Sequence, residues 1–194
     1  MTPALVLAAG ASSRMGRPKA LLPSGGRTFV RRILDTLSDA GVSDAVVVVR
    51  PDADDVVREI VSAGFGRAVV NADPNRGQLS SLVTGLDAID SPRVVAALVT
   101  LVDVPLVRAE TIAALIARAP LSSAPIVRAT YRSRHGHPVI FKRELFDALR
   151  RADPAVGAKA VLRAHAIEDV DVDDPGVVAD IDTPDDYRRV IESV

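Results

Sequence analysis

Three basic residues and two glycines fall within one short stretch, Gly10-Ala11-Ser12-Ser13-Arg14-Met15-Gly16-Arg17-Pro18-Lys19. Glycine and alanine let a polyanion approach the backbone closely, and exposed amide hydrogens then cradle phosphates. Arg14 adds a forked cation and Lys19 a mobile one. The stretch follows Leu5-Val6-Leu7-Ala8-Ala9, an apolar run too short for a helix and read as a buried strand. A strand, a small-residue turn and basic residues together suggest a site for a nucleoside triphosphate. Neither G-x-x-x-x-G-K-[ST] nor G-x-G-x-x-G follows the strand, so the two commonest phosphate-loop motifs are absent.

Other groups able to do chemistry lie further along. The most hydrophobic run, residues 94–102, stops at Asp103-Val104-Pro105. A carboxylate at the carboxyl end of a central strand points where a Mg-triphosphate would sit, and Mg²⁺ takes one or two carboxylates plus waters and phosphate oxygens. The plainer reading is a cap on the following helix. Near the end of the chain Asp180 and Asp182 alternate around Ile181 and so face one side, with Asp182 the weakly favoured second ligand. Gly77, Ser80 and Ser81 open a helix whose amides and hydroxyls suit a base, ribose or phosphate, or simply cap it. Residues 131–138 hold Arg132, Arg134, His135 and His137, which suit an anionic acceptor, while local packing accounts equally well for His137. No cysteine or acid joins these histidines at metal-ligand spacing, so zinc is not expected.

The elements that must position these groups alternate. Helices are expected over residues 28–40, 52–63, 78–89, 108–119, 142–152 and 153–165, the last opened by Asp153-Pro154, with a further one starting at Thr183-Pro184. Strands are expected over 45–49, 68–70, 94–102, 126–129 and 139–141. Residues 167–172 and 177–181, turning at Asp174-Pro175-Gly176, read as a hairpin that would form the antiparallel part of the sheet. Strand–helix alternation at this spacing implies an α/β fold: a Rossmann-like three-layer α/β/α sandwich with a mostly parallel sheet and an antiparallel part near the C-terminus.

The 194 residues fit one domain, 1–194. Hydrophobic residues make up 48% and aromatic ones only 3%, so the core must be built from aliphatic side chains. A net charge of −1 gives no basic field for nucleic acid. No run is long and apolar enough for a membrane span, and a signal peptide is not expected because no basic segment precedes the first apolar run. Zero cysteines exclude disulfides and thiol catalysis. These features fit a cytoplasmic protein.

The string L-A-A-G-x-S-S-R-M-G-x-P-K resembles the signature of the nucleotidyltransferases that include the molybdenum cofactor cytidylyltransferases and guanylyltransferases. The G-x-x-S-S-L, D-V-P, G-H-P-V-I-F and D-I-D-T-P-x-D-Y strings are similar to that family's later segments, with Val102 where the family carries glycine. The resemblance implies transfer of a nucleotide to a phosphate acceptor with loss of pyrophosphate. It implies Arg14, Lys19 and Asp103 as catalytic residues and Asp103 and Asp182 as ligands of Mg²⁺. Leu7, Ala8, Ala9, Gly10, Arg14, Lys19, Gly77, Ser80 and Ser81 would bind nucleotide, and Arg134, His135 and His137 the acceptor. L-A-A-G, against the L-A-G-G of the guanylyltransferases, implies CTP, with GTP the alternative. The implied acceptor is a molybdopterin-type cofactor, and the implied partner a molybdenum hydroxylase apoenzyme. Rival expectations are a sugar- or alcohol-phosphate nucleotidyltransferase and a non-catalytic maturation factor.

Overall fold

The computed structural model describes residues 1–191. In chain order its elements are β1 (Ala4–Leu7), β2 (Pro23–Ser24), β3 (Arg27–Thr28), α1 (Phe29–Asp39), β4 (Ala45–Val49), α2 (Asp54–Ala63), β5 (Arg67–Val70), α3 (Gln78–Ile89) and β6 (Ala96–Leu101). They continue with α4 (Ala109–Arg118), β7 (Ile126–Tyr131), β8 (Arg134–Lys142), α5 (Phe146–Arg150), α6 (Lys159–Ala164), β9 (Ile167–Asp171) and α7 (Pro184–Ile191). Seven strands form one sheet in the order β5-β4-β1-β6-β8-β7-β9, and β2 and β3 form a separate two-stranded ribbon.

Side chains on a strand alternate between faces, and here each face meets its own helices. Ala4, Val6, Ala45, Val47 and Val49 pack with Leu34 and Leu37 of α1, Ile60 of α2 and Leu115 of α4. Leu5, Leu7, Val46 and Val48 pack with Leu82 and Leu86 of α3 and Phe146 and Leu149 of α5. This is the three-layer sandwich with a mostly parallel sheet. A strand buried on both faces reads as a continuous apolar run, which is why the all-valine end of β4 gives no alternation in sequence. Thr28 caps α1 by accepting the Arg31 amide at 3.2 Å. Among the described residues, no helix is long and apolar enough to cross a membrane.

β1 lies between β4 and β6, parallel to both, with Leu7 level with Val48 and with Leu101. The turns after β1 and β6 therefore leave the sheet side by side, which is where ligands bind in open α/β sheets. β8 runs antiparallel to both β6 and β7, with Val99 level with Val139. Its first residues, including His135 and His137, therefore arrive at the carboxyl end of β6.

Several elements differ from the sequence expectation. The antiparallel part of the sheet is β8, not a hairpin over 167–181. β9 pairs with β7 in parallel, and Pro175–Val178 is a 3-10 turn. The cause is Asp174, whose buried carboxylate accepts the amides of Gly176 and Arg108 and the Thr111 hydroxyl at 2.8–2.9 Å. It thus caps α4 from a distant part of the chain and pulls the segment out of the sheet. The expected helix over 153–165 shortens to α6, because the Asp153 carboxylate accepts the Ala155 amide in a turn and Gly157 takes a left-handed φ of 71°. The expected helix over 142–152 begins as a 3-10 turn, Arg143–Leu145, before α5. β7 and β8 extend toward each other across the two residues Arg132 and Ser133, both with positive φ, so His135 and His137 lie on a strand and not in a loop.

Candidate functional site

The chain after β1 returns on itself over the carboxyl edge of the sheet. Ser13–Met15 and Lys19–Leu21 form two 3-10 turns, and Ser12 (φ 49°) and Gly16 (φ 67°) supply the reversal between strand and turns. The Ser12 hydroxyl accepts the Lys19 amide at 3.1 Å and fastens the loop's end to its start. Lys19 is thereby delivered to the strand ends, where its ammonium donates to Asp103 Oδ2 at 3.0 Å and to Asp182 Oδ1 at 2.5 Å. Arg14 lies 3.3 Å from the other oxygen of Asp182. The Lys19 side chain is only 11% exposed. Burial alone would lower its pKa, but the hydrogen bond it donates to Asp182 and the charges of both carboxylates hold it above the ordinary lysine value. The Lys19 hydrogen bond in turn holds the Asp182 carboxyl below the usual range.

Asp103 follows β6, and its carbonyl accepts the Ile181 amide at 2.9 Å. This bond lays the C-terminal segment against the end of β6. Ile181 is fully buried, so its neighbours Asp180 and Asp182 turn outward together, as their alternation implies. Thr183 and Asp186 then exchange side-chain and backbone bonds in a capping box that opens α7. Asp103 Oδ1 is buried with no hydrogen-bond partner among the described residues. Among those residues no cluster of three or more His, Asp or Glu side chains is arranged to hold a metal. Mg²⁺ needs only one or two carboxylates, however, and an orphaned Asp103 oxygen beside Asp182 fits that requirement.

Two cavities meet at these carboxylates. The smaller, about 280 Å³, is bordered by Leu7, Ala9, Gly10, Arg14, Lys19 and Ser81. A Cβ on Gly10 would meet nothing within 4 Å, so the space over this backbone is open to a ligand. The larger, about 640 Å³, has an apolar floor of Leu79, Leu82, Val139 and Phe141, with His135, His137 and Asp180 among its polar groups. Leu7, Gln78, Leu101, Asp103 and Asp182 border both.

Of the residues singled out in sequence, Leu7, Ala9, Gly10, Arg14, Lys19, Ser81, Asp103 and Asp182 come together around the smaller cavity. Ala8 faces the back of the loop, Gly77 only starts α3, and neither it nor Ser80 is in the wall. The Ser80 hydroxyl is turned to the carbonyls of Gly77 and Asp73, the capping alternative. His135 and His137 face the larger cavity, while Arg134, one residue out of step on β8, lies outside its wall. Arg132 stacks its guanidinium over Tyr131, 5.0 Å from the ring centre. Val102 packs in the core and also borders the smaller cavity. Asp180, weighed in sequence beside Asp182 as a ligand, borders the larger cavity, and sequence reasoning missed Gln78, Arg128 and Lys159 as cavity residues. Gln78 precedes Ser81 by one helical turn, so it carried a positional signal. Arg128 and Lys159 carried none. Arg128 is held by a two-pronged bond to Asp169 at 2.8 and 3.1 Å, a pairing across β7 and β9 that only the register reveals.

His137 sits 3.5 Å from the Val99 carbonyl. Burial pushes its imidazole below the ordinary value of 6.5, although the nearby charges of Asp180 and Asp103 act the other way. The native state therefore resists a proton that the unfolded chain accepts. This contribution to stability is present above pH about 6.5 and is lost as pH falls below it. His137→Gln is expected to lose less stability than the wild type between pH 7.5 and 5, measured by urea denaturation at each pH. An equal loss in both proteins would show that His137 is not the group responsible.

The sheet and the loop it carries make this a Rossmann-like α/β protein of the nucleotidyltransferase class. More narrowly, the chain belongs to the MobA-like NTP transferase family: the profile of the MobA-like NTP transferase domain matches residues 4–170. It is 32% identical over 200 residues to nicotine blue oxidoreductase of Paenarthrobacter nicotinovorans, covering 96% of this chain and 95% of that one. It is 25% identical to a probable molybdenum cofactor guanylyltransferase of Natronomonas pharaonis, covering 97% and 96%. The crystal structure of Rv0371c from Mycobacterium tuberculosis H37Rv superposes with a TM-score of 0.83 at 32% identity, covering 98% of this chain and 97% of that one. A second structure of Rv0371c is a complex with manganese, with a TM-score of 0.81 at 31% identity and coverage of 100% and 99%.

Proposed function

We propose that the protein is a cytoplasmic, Mg²⁺-dependent cytidylyltransferase that transfers CMP from CTP to the phosphate of a molybdopterin-type cofactor destined for a molybdenum hydroxylase apoenzyme. The observation that carries this reading is the Lys19 ammonium bridging Asp103 and Asp182 where two cavities meet. The smaller cavity takes the nucleotide and the larger the acceptor. An oxygen of the acceptor phosphate attacks the α-phosphorus, and the bond from that phosphorus to the oxygen of the departing pyrophosphate breaks. The acceptor oxygen is already ionised, so the site needs positioning and charge neutralisation more than a base. The Gly10 backbone, Arg14 and Lys19 hold the triphosphate and offset the negative charge that develops on the leaving group. Asp103 and Asp182 would hold Mg²⁺, which when bound neutralises phosphate oxygens. The manganese complex of Rv0371c supports a divalent cation in this family. His135 and His137, at the larger cavity, would face the acceptor. Ala9 borders the smaller cavity, and alanine in place of the glycine of L-A-G-G adds bulk beside the site. That favours CTP over GTP.

The test is pyrophosphate release with Mg²⁺ and a molybdopterin-type acceptor, with CTP, GTP, ATP and UTP in parallel. Release with CTP, abolished in Asp103→Ala, is the expected result. Release with GTP alone would sink the Ala9 argument and leave the transfer reading standing. The full-length likeness to a protein named as an oxidoreductase favours a second reading, in which the same cleft serves redox chemistry. Silence with all four nucleotides, together with substrate-dependent electron transfer, would favour that second reading.

A further inference from the structure

Asn71 follows β5 and is 3% exposed. Its backbone amide donates to the Val49 carbonyl at 2.9 Å, which fixes it to the sheet. Its side-chain oxygen accepts the Asp73 amide at 3.0 Å. A backbone N–H can only donate, so this bond settles which end of the amide is oxygen. The NH₂ end must then face α3, where it donates to Ser80 Oγ at 2.9 Å and to Ser81 Oγ at 3.0 Å. Both donors and the oxygen of Asn71 are thereby used.

The two serines respond differently. Each hydroxyl already accepts from Asn71 and must send its own proton elsewhere. Ser80 sends its proton to a carbonyl, that of Gly77 at 2.8 Å or Asp73 at 3.1 Å. Ser81 donates to no acceptor among the described residues, although it is 5% exposed. It borders the smaller cavity, one helical turn after Gln78, which borders it too. A buried hydroxyl that accepts on one side and has its proton unplaced on the other will direct that proton at whatever fills the cavity.

We infer that Asn71 is a positioning residue that fixes the hydrogen-bond polarity of Ser81, so that Ser81 presents a proton donor to a lone-pair atom on the nucleoside part of the bound nucleotide. This rests on the nucleotidyl reading of the cavity. Gln78 can turn its amide either way and present a donor or an acceptor. Ser81 is less free: Asn71 occupies one of its two lone pairs, and its proton has no other acceptor among the described residues. The site therefore pairs one adaptable reader with one biased reader, and the biased one favours a ligand edge that presents a lone pair there. Asn71→Asp would reverse this arrangement. The carboxylate only accepts, so Ser81 would give it the proton and turn a lone pair to the ligand.

The test is calorimetric binding of CTP and of GTP with Mg²⁺, and of inorganic tripolyphosphate, to wild type, Asn71→Asp, Ser81→Ala and the double variant. Nucleotide Kd is expected to rise about tenfold in each single variant. The double variant is expected to bind no more weakly than Ser81→Ala, because Asn71 acts through Ser81. Tripolyphosphate, held by Arg14 and Lys19, is expected to bind all four proteins alike. A purely structural role would weaken tripolyphosphate in parallel or give additive losses, and either result overturns the inference. So does nucleotide binding by Asn71→Asp at wild-type affinity. Should Asn71→Asp fail to fold, Asn71→Ala replaces it, with a smaller expected loss because it frees the Ser81 hydroxyl without reversing it. A wild type that binds tripolyphosphate but neither nucleotide overturns the inference together with the nucleotidyl reading. Nucleotide binding unchanged in every variant overturns the inference alone.

Discussion

Lys19→Ala is expected to lower kcat for nucleotidyl transfer by about a hundred- to a thousandfold, equivalent to about 3–4 kcal/mol, while the protein stays folded. Among the described residues, Lys19 is the one group bonded to both Asp103 and Asp182. It is nearly buried, so its charge acts in a medium of lower dielectric than water. Its pKa is held above the ordinary value, so it carries its charge throughout the neutral range. In the variant the two carboxylates lose their shared cation, and Asp103, which already has one orphaned oxygen, loses its remaining partner. Arg14 does not substitute, because it reaches Asp182 only and its side chain is 65% exposed. Lys19→Arg is expected to rescue poorly, since a planar fork does not fit a point-charge position between two carboxylates. Pyrophosphate release gives kcat, and a thermal melt separates a chemical defect from an unfolded protein. A loss smaller than about tenfold, in a folded variant, would remove Lys19 from the catalytic machinery.

Gly136→Ala is expected to destabilise the protein by about 3 kcal/mol and to lower activity in whatever fraction folds. A Cβ at this position would lie 2.0 Å from the Val177 carbonyl oxygen and 2.6 Å from its carbon. Both are backbone atoms, so no side chain can rotate away. Either β8 or the 3-10 turn Pro175–Val178 must shift. The turn leads within a few residues to Asp180 and Asp182, so a shift there also moves a carboxylate of the site. The effect is to be read from urea denaturation and from pyrophosphate release. Gly10→Ala makes the contrast: with nothing within 4 Å of its Cβ, it is expected to leave stability unchanged and to weaken only nucleotide binding. Stability unaffected in Gly136→Ala would mean that the crossing segment can retreat at little cost.

The sheet's parallel half was legible in sequence, because buried strands and one-faced helices have different periods and both are visible at β1, α1, β4 and α2. The loop from Gly10 to Lys19 was legible for the same local reason: small residues, then cations, follow a strand. What the sequence hid is set by contacts between distant residues. The direction of β8 depends on its pairing with β6, and nothing in G-H-P-V-I-F states it. Asp174 looked like a turn residue, yet it also caps α4 and thereby denies the chain the expected hairpin. Ser80 and Ser81 are the same residue type side by side and both accept from Asn71; only the Gly77 and Asp73 carbonyls beside Ser80, and the cavity beside Ser81, tell them apart. Gly136 stood in a string read for its histidines, while the structure gives the glycine its own reason, the passage of Val177.

The bond between Lys19 and Asp182 joins residues 163 positions apart. Separation on this scale is what slows folding, since the cost of closing the loop is met before the contact returns anything. β1, α1, β4 and α2 can assemble from neighbours while the cation at Lys19 still lacks both of its anions. During refolding, helical signal should therefore return before catalysis does.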